Sequence, residues 1–200
     1  MSHDKKDKQK VREFLEQHGL EVDEHSKNEL KEARTPDFKI LKDGELVFHC
    51  EVKTIAEDTW IIDQVMNAPP GTIVGGPRND ATYNRISSKI HDAAEQFRSV
   101  NPEHKYPNVL IFIDHEEGLG YNGLLQTVTG YFFAQGGERH PIFKKYSEGR
   151  IEKEKYQIDL YLWFDDRRDK PDWLFGNNRP FVEALCRYFG IDPSTINCKT

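Results

Sequence analysis

Apolar and polar positions alternate along this chain with two different periods. Val11, Phe14, Leu15 and His18 recur at helical spacing, which predicts a helix from about residue 4 to His18, ended by Gly19. Residues 36–41 and 45–53 alternate like strands around Lys42-Asp43-Gly44. Residues 54–80 carry Pro69-Pro70-Gly71 and Gly75-Gly76-Pro77 and read as a long irregular excursion. Loops of that length inside a domain are often functional.

Tyr83, Ile86, Ile90, Ala94 and Phe97 then form one apolar stripe, which predicts a helix over 82–98 capped by Asp80 or Thr82. The run Val109-Leu110-Ile111-Phe112-Ile113 has the length and branching of a central strand covered on both faces. Further elements are a helix over 121–135, a strand over 156–164 with Ile158, Leu160, Leu162 and Phe164 pointing inward, and a helix over 179–189 built on Phe181, Leu185 and Phe189. The order predicts an α/β fold with a mixed sheet and helices on its faces.

Composition narrows the class. At 200 residues the chain has the length of one domain with a full core. It is polar, with 31% charged residues, yet its 12% aromatic content is too high for a disordered chain. The start, MSHDKKDKQK, lacks the apolar stretch of a secretory signal. No run approaches the ~18 apolar residues of a membrane span. A cytoplasmic location without membrane contact is expected. Cys50, Cys186 and Cys198 are far apart and odd in number, so they read as reduced and structural. The net charge of -6 argues against a protein that coats nucleic acid. It leaves room for an enzyme that borrows positive charge from a metal.

The chemistry concentrates in Thr35-Pro36-Asp37-Phe38 and Cys50-Glu51-Val52-Lys53. Strand alternation puts Glu51 and Lys53 on one face with Val47 and His49, and the apolar Leu46, Phe48, Cys50 and Val52 on the other. Whether Asp37 joins them depends on the turn. A two-residue Asp43-Gly44 loop pairs Asp37 with Cys50 and puts it on the wrong face. A three-residue loop, with Gly44 left-handed, pairs Asp37 with His49 on the face of Glu51. Asp-Gly suits either loop, and the chemistry favours the second. Carboxylates converging from paired strands suit Mg²⁺ or Mn²⁺, with the Val52 carbonyl as a third oxygen. A lysine beside them can stabilise a phosphate oxyanion or orient an attacking water.

At these residues the chain resembles the PD-(D/E)XK nuclease superfamily, with Pro36-Asp37 and Glu51-Val52-Lys53 standing for its signature. The resemblance implies a restriction-endonuclease-like α-β-β-β-α-β core, here about residues 4–113, with a variable part over 114–200. It implies a metal-dependent nuclease, acting on DNA rather than RNA, in which Asp37 and Glu51 hold the metal and Lys53 assists the attack. It offers Lys89 and Gln96 as substrate-binding residues on the following helix. A glutamate ligand from the first helix is common in the superfamily. Glu13 and Glu16 are the candidates there, with Glu29 and Glu32 nearer in sequence to Asp37. Nucleases that cut both strands often pair, so a homodimer is compatible with this reading. The alternatives are a non-catalytic nuclease-like module that binds nucleic acid or protein, and an unrelated domain with a chance motif. The last expects Asp37 and Glu51 to lie far apart.

The other candidates have plainer readings. His49 is a neighbour of the site rather than a ligand. Asp114-His115 suits a cap or turn, and the mixed charges of 144–155 suit a solvated loop or hairpin. Arg167, Arg168 and Lys170 could touch a phosphate backbone, but Asp165, Asp166 and Asp169 dilute their field.

Overall fold

The apolar patterning above produces a mixed six-stranded sheet with helices on both faces. The structure is a computed structural model that describes residues 3–26, 29, 34–56, 60–74, 82–116, 120–165, 167–168 and 170–196. Helix α1 (His3–Gln17) leads into β1 (Glu21–Glu24), β2 (Phe38–Lys42) and β3 (Glu45–Ile55). Helices α2 (Trp60–Asn67) and α3 (Thr82–Val100) precede β4 (Asn108–Asp114) and α4 (Gly120–Thr129). A small hairpin, β5 (Tyr131–Phe133) and β6 (Arg139–Pro141), is followed by short 3₁₀ turns. The chain closes with β7 (Leu160–Asp165), β8 (Asp172–Phe175) and α5 (Arg179–Phe189).

The sheet order is β1-β2-β3-β4-β7-β8. β3, β4 and β7 run parallel, and β1–β2, β2–β3 and β7–β8 are antiparallel pairs. All seven residues of β4 are buried, as a strand with both faces covered requires. On one face, Val11 and Leu15 of α1 and Leu185 and Phe189 of α5 pack on Phe48, Cys50, Val52, Ile111 and Leu162. On the other, Ile86, Ile90, Ala93 and Phe97 of α3 and Leu124 of α4 pack on Ile55, Leu110, Phe112, Tyr161 and Trp163. Tyr83, at the head of the α3 stripe, is only half-buried and donates to Gln126 Oε1 at 2.6 Å. Cys50 and Cys186 are buried in the core. Cys198 and Asp80 lie outside the described residues.

The β2–β3 turn departs from expectation in an instructive way. The loop has two residues, with Lys42 paired to Glu45. Asp43 (φ 53°) and Gly44 (φ 78°) are both left-handed, as a type I′ turn requires. By itself this loop would put Asp37 on the wrong face. A bulge corrects it: Leu41 pairs with Leu46 while Ile40 pairs with Phe48, so Val47 is the extra residue. Beyond the bulge Lys39 pairs with His49 and Phe38 with Cys50, which brings Asp37 opposite Glu51 rather than His49. The bulge also reverses the two faces at its own position. Val47 packs on the α1 side of the core, and Leu46 lines a cavity with Lys39 and His49.

Other boundaries move too. The excursion over 54–80 contains α2, and β3 continues to Ile55. The helix expected to reach 135 stops at Thr129, because Gly130 turns left-handed (φ 76°) and Tyr131–Phe133 enter the small hairpin. β7 begins at Leu160, and Ile158 packs on the face opposite Leu160 and Leu162. Short β1 and β8 are edge strands that periodicity does not reveal. In β1 only Val22 packs on the core, between acidic neighbours. No helix of the described residues is long and apolar enough to cross a membrane.

Candidate functional site

Strand β3 ends its buried length with a carboxylate and an ammonium on the α3 side of the sheet. Glu51 is only 2% exposed, an unusual position for a carboxylate unless partnered. It is partnered twice: Oε2 accepts from the Asp37 backbone N–H at 2.9 Å, and Oε1 accepts from Lys53 Nζ at 2.5 Å. Asp37 stands just before β2 begins, so the Val52 N–H has no ladder partner from that strand. The Asp37 carboxylate takes its place, with Oδ2 accepting from Val52 N at 2.9 Å. A strand residue presents its N–H and C=O to the same side, so the Val52 carbonyl faces the Asp37 edge as well.

Asp37, Glu51 and Lys53 therefore form one connected group. α3 adds Gln96, a 9% exposed side chain whose Oε1 accepts from Lys53 Nζ at 2.8 Å. Its Nε2 donates to the Thr35 carbonyl at 2.9 Å. Gln96 thus ties the lysine to the chain segment that enters β2. Lys89 stands seven residues earlier on the same helix, half-buried, and is not among the hydrogen-bond and ion-pair partners of the three motif residues.

A residue that sequence reasoning missed completes the network. Lys8 of α1 reaches Asp37 Oδ1 at 2.8 Å and Asp4 at 3.3 Å. The signal was present: Lys8 lies three and seven residues before the buried Val11 and Leu15, on the inward stripe of its helix. A lysine in that register needs a buried counter-charge. Asp7, beside it, is also buried, and accepts from Thr54 Oγ1 at 2.5 Å while lying 3.0 Å from His115 Nε2. The expected helix-1 glutamates do not take part. Glu13 and Glu16 are exposed, and Glu13 bonds Gln9. Glu29 turns to Lys39 and Ser26, and Glu32 lies outside the described residues.

The electrostatics follow from burial. Burial, and then the neighbouring Asp37 charge, push the Glu51 carboxyl up to about 7, against the downward pull of Lys53 and the Asp37 N–H. Burial pulls the Lys8 ammonium down, but its hydrogen bond and charge contact with Asp37, with Asp4 adding, outweigh this and hold it above its ordinary value.

The donor set is hard and small. Asp37 and Glu51 supply two carboxylates and Val52 a carbonyl. Among the described residues no group of three or more His, Cys, Asp or Glu converges as a metal cage. Two carboxylates and a carbonyl suit Mg²⁺, which keeps several of its waters, better than Ca²⁺ or Zn²⁺. The rise of Glu51 toward neutrality beside Asp37 marks a place where added positive charge is favourable. The residues present therefore fit a divalent cation.

The remaining candidates fall away from the site. Asp114 accepts from the backbone N–H groups of Glu116 and Gly120, a turn and cap role. Arg167 pairs with Asp165 and Arg168 with Asp172, so this basic run is locally neutralised; Asp166 and Asp169 lie outside the described residues. Comparison with protein-family models, with curated proteins and with solved structures finds no match for this chain.

Proposed function

We propose that this protein is a Mg²⁺- or Mn²⁺-dependent nuclease of the PD-(D/E)XK type that hydrolyses phosphodiester bonds, with DNA as the favoured substrate. The observation that carries the reading is the Asp37–Glu51–Lys53 network, with two carboxylates and an ammonium joined at the end of β3 where β2 begins. The element order α1, β1–β3, α3, β4 also supports a restriction-endonuclease-like core, with α2 inserted before α3.

In this mechanism Asp37, Glu51 and the Val52 carbonyl would hold the cation. The cation, when bound, makes a water more acidic and offsets negative charge on a phosphate oxygen. Lys53 spends two of its three N–H groups on Glu51 and Gln96, leaving one for the phosphate oxygen on which charge builds. Gln96 fixes the direction of that ammonium. Lys8 balances the Asp37 charge in the metal-free protein.

A second reading, a nuclease-like module that binds without cutting, draws on a different observation. Both carboxylates already carry ammonium partners, Lys8 on Asp37 and Lys53 on Glu51. The deciding experiment offers plasmid, linear duplex and single-stranded DNA, and RNA, to wild type and Glu51→Gln with Mg²⁺ or Mn²⁺. The nuclease reading expects metal-dependent cutting by wild type alone. No cutting of any substrate with either metal favours the binding module.

A further inference from the structure

We propose that the groove between the β5–β6 hairpin and β8 binds single-stranded nucleic acid by stacking its bases. The groove encloses about 1160 Å³. Tyr131, Phe133 and Arg139 of the hairpin line one wall and β8 the other, where the Trp173 ring itself packs on Phe189 at 5.0 Å. Alternation along the hairpin sorts its side chains. Tyr131 and Phe133 face the groove, and Phe132 turns outward toward His140.

The aromatic exposure here is concentrated. Among the described residues seven large aromatics are substantially exposed, and six of them fall within 131–156. Three of the six line the groove itself, Tyr131, Phe133 and Tyr156, at 38%, 37% and 61%. Open rings carry a hydration cost that a ligand can recover. The same segment holds six Lys and Arg against four Glu, a net of +2 within a chain of net -6. Its cations sit over its rings: Arg139 at 5.5 Å from the Tyr131 centroid, Lys145 at 4.6 Å from Tyr146 and Lys155 at 5.5 Å from Tyr156. Lys155 is also held by Glu148 at 2.6 Å, which leaves Arg139 as the groove's cation for a phosphate.

Rings for bases beside cations for a backbone are the elements that single strands require. A duplex hides its base faces and has no use for the rings. A peptide adding to the outer edge of β8 is disfavoured, because the Trp173 carbonyl already accepts from Tyr121 Oη at 2.9 Å. The groove is also distinct from the candidate catalytic site. Glu51, Leu110, Tyr161 and Leu174 form one row across the sheet, which separates them by three strand spacings, about 14 Å. The proposal extends the nuclease reading by giving it a single-stranded ligand, and its test does not require cutting.

The test uses full-length Lys53→Ala protein without divalent metal, so that no probe is consumed. Fluorescence anisotropy compares a labelled single strand of about 15 nucleotides with the duplex of the same sequence. The single strand should bind more tightly. Adding Tyr156→Ala or Phe133→Ala should weaken it on the order of tenfold. Adding Arg139→Gln should flatten the dependence of log K on log salt by about 0.7. All three side chains are exposed, so the fold should persist, and circular dichroism checks this. Equal binding of duplex and single strand overturns the proposal, as does binding unchanged by the three substitutions. Light scattering on the parent provides a third arm: a dimer that Tyr156→Ala dissolves would make the face a contact between copies and overturn it too. Cutting by wild type alongside a failed groove leaves the nuclease reading standing. Binding without cutting leaves the groove standing.

Discussion

Strand β3 carries two contrasting buried groups on the same face, two residues apart. At Glu51 every polar atom is engaged, by Asp37, Lys53 and, through the lysine, Gln96. At His49 the ring stacks 6.4 Å from His25, and His49 Nδ1 and His25 Nε2 are buried with no hydrogen-bond partner. Burial drives both groups toward neutrality, in opposite senses. Glu51 rises to about 7, whereas burial, His25 and Lys39 push His49 down to about 4. The difference lies in what surrounds them. Around Glu51, a second carboxylate and two ammonium groups give a charged network that a cation can enter. Around His49 stand a second imidazole and the Lys39 ammonium, which disfavour added positive charge. Burial perturbs both groups, but only Glu51 has charged and N–H partners joined to it.

The largest expected effect breaks this comparison if it fails. Lys53→Ala should lower the cleavage rate by roughly 10²–10³, while His49→Gln, on the same face, should leave it within a few-fold. Single-turnover cleavage with Mn²⁺ measures both. Similar losses in the two variants would mean that the two ends of the face act as one site.

Gln96 sharpens the comparison by asking whether the engaged network also stabilises the fold. Gln96→Leu strands the Thr35 carbonyl and one Lys53 N–H, and should cost about 1–3 kcal/mol in urea denaturation. A neutral result would show that the amide serves the site alone.

A pair of opposite pH slopes in the metal-free protein tests the comparison from the side of protonation. Glu51 has its folded value raised from 4.5 to about 7, so across that interval the folded state holds a proton that the unfolded chain has released. Its contribution is present at low pH and is lost as pH rises through 7. His49 has its folded value lowered from 6.5 to about 4, so across that interval the unfolded chain holds the proton. Its contribution is present above 6.5 and is lost as pH falls toward 4. Denaturation from pH 4 to 8 should show Glu51→Gln removing the fall on the alkaline side and His49→Gln removing the rise on the acid side. Slopes unchanged by either variant would mean that other groups set them.

Much of the site was legible because its chemistry is local. Glu51 and Lys53 share a face by strand alternation alone, and Gln96 lies on the helix that the stripe of Ile86, Ile90 and Phe97 predicts. Asp37 reached the expected face by an unexpected route. The turn is the shorter one, and the bulge that compensates leaves no mark in sequence, because Val47 and Phe48 are both apolar and neither is glycine. Lys8 was missed because its partner lies 29 positions away, and only tertiary packing brings α1 onto that edge. The C-terminal part was harder for a different reason. Tyr131-Phe132-Phe133 continues the apolar content of α4, and only Gly130 marks the break into a hairpin. Edge strands β1 and β8 are four residues each, too short for alternation to stand out.

The central claim is that Asp37 and Glu51 together hold a divalent cation, and direct Mn²⁺ binding tests it most closely. Electron paramagnetic resonance titration of Mn²⁺ into wild type and Asp37→Asn reads the affinity without reference to any substrate. The account predicts one bound Mn²⁺ in wild type and a marked loss of affinity in Asp37→Asn, with cutting partly restored in that variant by excess Mn²⁺. Equal Mn²⁺ binding by both proteins, or none by wild type, would contradict it.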